Sequence, residues 1–106
     1  MAQREAISMA LDALRAELQR AKLWSASRPE LSAFHSTIPF FTDTMPFEQW
    51  LQFVLIERLD EMLRVEAPLP ALSGVAPMAE MVWAQDLAER RYIVELLQDL
   101  DDLLGS

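Results

Sequence analysis

The sequence predicts an all-α fold: a small helical bundle of three long helices plus one short helix, with a long ordered aromatic connection between helices 1 and 2. Three observations carry this. Apolar residues recur at three- and four-residue spacing through most of the chain. Only two glycines are present, and the six prolines fall between the periodic stretches or at their starts. Nothing reads as a strand; the nearest candidate, 38–42, is cut by Pro39 and has no pairing partner. A length of 106 residues suits one domain, read here as 1–106.

The first helix is predicted over 3–23. Ile7, Leu11, Leu14, Leu18 and Ala21 fall on one face, widened by Met9, Ala10 and Ala13. Arg4, Glu5, Asp12, Arg15, Glu17 and Gln19 occupy the other side, as in an ordinary bundle helix. Residues 24–45 combine turn-forming Ser, Thr and Pro with Trp24, Leu31, Phe34, Ile38, Phe40, Phe41 and Met45. Disorder would leave these large apolar groups in water, whereas burying each stabilises the fold by roughly 1.5–3 kcal/mol. The segment is therefore an ordered wrap that lays its aromatics onto the helices.

The second helix is predicted over 46–66, with Thr44 as N-cap and Pro46 in the first turn. Phe47, Leu51, Val54, Leu55, Leu59, Met62 and Leu63 line one face, and Trp50, Phe53 and Ile56 extend it around the cylinder. Such a helix is central. Pro68 and Pro70 then make a stiff connection with Leu69 and Leu72 packed inward. Pro77 opens a short helix, about 77–85. Asp86 and Glu89 match a capping box, which places a break before a last helix at 87–104; one unbroken helix over 77–104 is the alternative. Ile93, Leu96, Leu97, Leu100, Leu103 and Leu104 give that last helix its stripe, and Gly105 stops it.

Composition excludes whole classes of function. There is no Cys, hence no disulfide framework, thiolate nucleophile or Cys-built zinc site. One His forbids a two-His metal motif within the chain, and two glycines forbid a glycine-rich phosphate loop. The longest fully apolar run, Val54–Ile56 with Phe53 before it, is far short of the roughly 20 residues a membrane span needs. The start of the chain lacks the apolar core of a signal peptide, so a cytoplasmic protein with no membrane contact is expected. The net charge of −8 is divided: residues 1–28 carry five cations against three anions, and residues 29–106 four against fourteen. The cations of the first segment are spread around the helix and interleaved with acids, which argues against direct nucleic-acid binding. They are expected to pair with the acidic remainder or with a second copy.

No constellation carries chemistry. Glu57, Asp60, Glu61 and Glu66 read as a solvated face, as do Asp99, Asp101 and Asp102. His35 lacks a partner for nucleophilic catalysis and reads as a structural histidine bonding a loop carbonyl. Asp43 and Thr44 are explained by capping the second helix. No catalytic, cofactor-binding or metal-binding residue is assigned, and the chain is not expected to be an enzyme.

The run Phe34-His-Ser-Thr-Ile-Pro-Phe-Phe-Thr-Asp-Thr-Met45, followed by Glu48-Gln-Trp-Leu-Gln52, resembles the YqcC-like bacterial proteins. Pro68-Leu-Pro70 and Ala76-Pro77 with Glu80-Met81 resemble that family's second patch. The similarity spans nearly the whole chain and departs at Glu57, where many members carry Pro. The resemblance implies a small all-α bundle of uncharacterised function. Some members carry the label of a neighbouring tRNA pseudouridine synthase. This chain is too short for that enzyme's catalytic domain, so the resemblance allows at most an accessory protein.

The functional expectation is a module that binds another protein or itself. Its candidate surface is Ser36, Thr37, Pro39, Phe40, Phe41, Asp43, Thr44, Met45, Trp50 and Gln52, together with Pro77 and Glu80. The alternative is a small-ligand site in the 36–52 segment, with Ser36, Thr37, Asp43 and Thr44 beside Phe40, Phe41 and Trp50.

Overall fold

Helix α1 runs over Ala2–Arg20 in a computed structural model that describes residues 2–71 and 74–105. Its predicted stripe is the buried one: Ile7, Leu11, Leu14 and Leu18 have no solvent exposure. The helix stops earlier than the periodicity predicts. Lys22 adopts a left-handed conformation with φ 63°. Its N–H donates to Gln19 O at 3.1 Å, and the Leu23 N–H donates to Leu18 O at 2.8 Å. This Schellman closure satisfies two orphan carbonyls without a glycine, so no residue type announces the stop.

Helix α2 occupies residues 47–64. It is built of an α-helical turn Phe47–Trp50, a π-helical stretch Leu51–Ile56 and an α-helical segment Glu57–Arg64. The backbone passes through Ile56 and Glu57 in ordinary helical geometry. The predicted cap is corrected. Pro46, with extended φ and ψ, is the N-cap and offers no side-chain bond. Thr44 instead donates its hydroxyl to Ala33 O at 2.7 Å, because the backbone between Phe41 and Met45 has already turned. At the far end Glu66 (φ 57°) makes a second glycine-free Schellman closure, with Ala67 N–H on Met62 O at 2.9 Å. Arg4 of α1 adds its guanidinium to Ala67 O at 2.6 Å, a cation at a helix C-terminus.

Helix α3 (Val75–Val82) and helix α4 (Leu87–Gly105) are separate, as the break predicted. A 3₁₀ turn, Ala84–Asp86, makes that break instead of a capping box. The Asp86 N–H donates to Trp83 O at 2.9 Å, and its carboxylate caps nothing among the described residues. The start of α3 corrects the reading of Asp101. This residue is 6 % exposed, not solvated. Its two carboxylate oxygens accept the N–H groups of Val75 (3.2 Å) and Ala76 (2.8 Å). Gly74, the N-cap at φ 86°, has no side chain for this task. Pro77 has no N–H, and Met78 N–H bonds Gly74 O at 3.2 Å. Every orphan donor of the first turn is thus accounted for. Leu69 packs against the core, while Leu72 lies outside the described residues.

The four helices share one cluster of buried side chains. α1 packs chiefly on α4 and also on α2, and α3 packs on α4. Arg15 of α1 pairs with Asp60 of α2, and Arg28 with Glu57, so the charge division of the sequence is partly closed within the molecule.

Candidate functional site

The connection between α1 and α2 is an ordered wrap containing two 3₁₀ turns, Leu31–His35 and Pro39–Phe41. It lies on the outside of the bundle: neither turn has a buried residue. Phe34, Phe40, Phe41 and Trp24 are half-buried against the core as expected. Leu31 (77 % exposed) and Ile38 (44 %) are not, because the turns point them to solvent.

Polar and aromatic clasps fasten the wrap. Gln52, on the π stretch, holds the Ser25 backbone from both sides. Its Oε1 accepts the Ser25 N–H at 2.8 Å, and its Nε2 donates to Ser25 O at 3.0 Å. The Arg28 guanidinium lies 4.9 Å from the Phe34 centroid and 5.4 Å from that of Phe53. It also bonds both Glu57 carboxylate oxygens, at 2.9 and 2.7 Å. The ion pair is solvated and contributes about 0–1 kcal/mol; each ring contact adds about 0.5–1 kcal/mol. Ser36 donates its hydroxyl to Asp43 and accepts the Ile38 N–H at 3.0 Å. The Phe40 ring stands edge-on to Trp50 (4.9 Å) and Phe47 (6.1 Å), and Phe47 meets Trp83 edge-on at 5.4 Å. Phe40 (φ 60°) and Phe41 (φ 51°) are consecutive left-handed residues. Bulky side chains take that conformation only when their surroundings impose it.

Beside these clasps an open cleft of about 490 Å³ lies between the wrap and α2. Arg28, Phe34, Phe41, Phe53, Glu57, Arg58, Glu61 and Met62 line it, with Val54 at its base. The hydrogen bond from Arg64, assisted by its charge, holds the Glu61 carboxyl below its ordinary range.

The sequence-predicted surface divides. Thr37, Pro39, Asp43 and Thr44 are exposed, and Ser36, Phe40 and Phe41 half-buried. Met45, Trp50 and Gln52 are buried and offer no surface to a protein partner in this conformation: the first two pack in the core and the third holds Ser25. Pro77 and Glu80 are exposed on α3, with Glu80 beside Leu87 and Arg91 of α4. Among the described residues no hydrogen bond, ion pair or ring contact ties either to 36–52. Of the aromatics expected in a pocket, Phe41 lines the cleft and Trp50 a second, smaller pocket, but the polar groups of the cleft are those of Arg28, Glu57, Arg58 and Glu61. The spacing of Val54, Arg58 and Met62 on one helix row was the available signal for it. His35 is exposed and makes no side-chain hydrogen bond among the described residues, so its predicted structural bond is not formed. Among those residues no group of three His, Cys, Asp or Glu side chains could hold a metal ion, and no helix is long and apolar enough to cross a membrane.

Comparison with known proteins fixes the family. A family profile described as "tRNA pseudouridine synthase C" matches residues 6–103. "Uncharacterized protein YqcC" of Escherichia coli (strain K12) is 40% identical over 106 residues, covering 100% of this chain and 97% of that protein. The chain belongs to the YqcC-like family. The solution NMR structure of E. coli YqcC has a TM-score of 0.85 at 39% identity, with 100% of this chain and 91% of that one covered. The all-α bundle is therefore the YqcC fold. A "tRNA pseudouridine synthase C" of Pectobacterium carotovorum subsp. carotovorum is 43% identical over 53 residues, which are 50% of this chain and 14% of that protein. The E. coli relative that covers the full chain is itself named an uncharacterized protein.

Proposed function

We propose that this YqcC-like chain is a cytoplasmic protein-interaction module without catalysis of its own, and that its partner is a tRNA pseudouridine synthase. The supporting observation is the 53-residue segment it shares with a much longer protein named tRNA pseudouridine synthase C. A segment built into an enzyme's own chain faces it at millimolar effective concentration. A separate bundle carrying the same segment can occupy the same place without the covalent link. The wrap offers a contact surface: Leu31 and Ile38 project to solvent from a segment whose backbone is already clasped to α2 at Ser25 by Gln52. Ordering costs on binding are correspondingly small. The excess of acids suits a protein surface that also attracts RNA.

The test is light scattering and interferometry with the purified chain and the full-length Pectobacterium synthase. A saturable one-to-one complex is expected, weakened at least tenfold by Ile38→Asp with melting unchanged. Absence of a complex at roughly 100 µM of each protein overturns the reading. A stable homodimer without the synthase replaces it by self-association.

A further inference from the structure

Two cavities in this molecule flank one row of α2 side chains. The open cleft and a second, more enclosed pocket of about 170 Å³ are both lined by Val54, Arg58 and Met62. Four-residue spacing puts these three in one row on α2, about 12 Å long. On one side of the row the cleft takes in Phe53, Glu57 and Glu61 with the wrap's Phe41, and on the other the pocket takes in Leu55 and Leu59 with Pro70. The enclosed pocket lies against Trp50 and, Arg58 apart, is walled by apolar side chains.

Arg58 sets the chemistry. Its neighbours in the cleft are committed, Glu57 to Arg28 and Glu61 to Arg64. Arg58 makes no hydrogen bond or ion pair among the described residues, so the row between the cavities presents an uncommitted positive charge on a chain of net −8. A cationic ligand would find its carboxylates taken, whereas an anionic head would find a planar guanidinium fork. Two backbone features coincide there. The π stretch Leu51–Ile56 contains Val54, and left-handed Phe41 lines the cleft. Both kinds of distortion concentrate at functional sites.

We propose that the enclosed pocket binds a small amphipathic carboxylate, its apolar chain beside Trp50 and its carboxylate on Arg58. Arg58 is exposed, so the head stays hydrated while the tail is dry. The site is separate from the exposed wrap residues of the protein-interaction reading, and either can fail alone.

The experiment is an NMR titration of the full chain with octanoate, using octanamide as the uncharged control. Saturable shifts are expected at the amides of Val54, Arg58 and Met62 and at the Trp50 indole, with octanoate binding about tenfold or more tighter than octanamide. Arg58→Gln, at an exposed position that leaves the core intact, should bring octanoate down to the octanamide level. No saturable shift at roughly 5 mM ligand, equal binding of acid and amide, or an unaffected Arg58→Gln variant would each overturn the proposal.

Discussion

Replacing Asp101 by Ala should destabilise the bundle far more than replacing any exposed acid. The carboxylate accepts two buried backbone N–H groups at the start of α3. Each left unpaired costs about 1–3 kcal/mol, and the helix dipole loses its compensating charge. Local relaxation and water recover part of this, so a net loss of about 2–4 kcal/mol is expected. Unfolding entropy near 2.1 cal/mol/K per residue gives a chain of 106 residues about 4–5 °C per kcal/mol. The melting temperature should therefore fall by roughly 9–18 °C. Asp99→Ala is the control: it removes the same charge from an exposed position two residues away on the same helix, so relief of self-repulsion is similar in both variants. Its effect should stay within about 0.5 kcal/mol. Thermal circular dichroism reads both, and hydrogen exchange at Val75 and Ala76 locates the lesion. Equal melting temperatures for the two variants would refute the clamp.

Other expectations follow from the same geometry. Gln52→Met keeps the volume but strands the Ser25 N–H and C=O, and should cost about 1–3 kcal/mol in a urea titration. Glu66→Gly relieves a left-handed residue at φ 57° and should gain about 0.5–1 kcal/mol, read as a higher denaturation midpoint with unchanged slope. The Glu17 and Glu61 carboxyls are held below their ordinary range, chiefly by hydrogen bonds from Arg20 and Arg64. Their stabilisation is present above the unfolded carboxylate pKa and is lost as pH falls through the lowered folded values. A Glu17→Gln, Glu61→Gln double variant should therefore lose less stability than the parent between pH 7 and pH 3, most visibly at low salt.

The helices were legible because their apolar spacing is also their burial. Ile7, Leu11, Leu14 and Leu18 needed no tertiary information. Helix ends were less legible, since Lys22 and Glu66 close α1 and α2 in a conformation that glycine normally marks. Thr44 misled because a hydroxyl before a helix can bond elsewhere, here to Ala33. Asp101 was grouped with Asp99 and Asp102 by adjacency, yet it stands four residues after Leu97 and three before Leu104, on the core stripe. An acid on an apolar face, with a glycine at the N-cap of another helix, is a pairing visible only once the fold brings them together. The cleft was missed for a similar reason: Arg28 and Arg58 are far apart in sequence and meet only after the wrap folds back on α2.

The wrap shows which force wins when local and tertiary preferences disagree. Two adjacent left-handed phenylalanines cost about 1–3 kcal/mol each, and glycine at either position would remove the strain. Glycine would also remove the ring of Phe40, whose contacts with Trp50 and Phe47 contribute about 0.5–1.5 kcal/mol each beyond the area they bury. Phe47 passes that packing on to Trp83, at the junction of α3 and α4. The aromatic chain thus couples the surface wrap to the far helix pair, and the strain is the cost of aiming Phe40 inward. The turn that aims Phe40 inward also leaves Ile38 outward, two residues earlier. One local conformation therefore both anchors the segment and exposes the side chain on which the interaction reading depends.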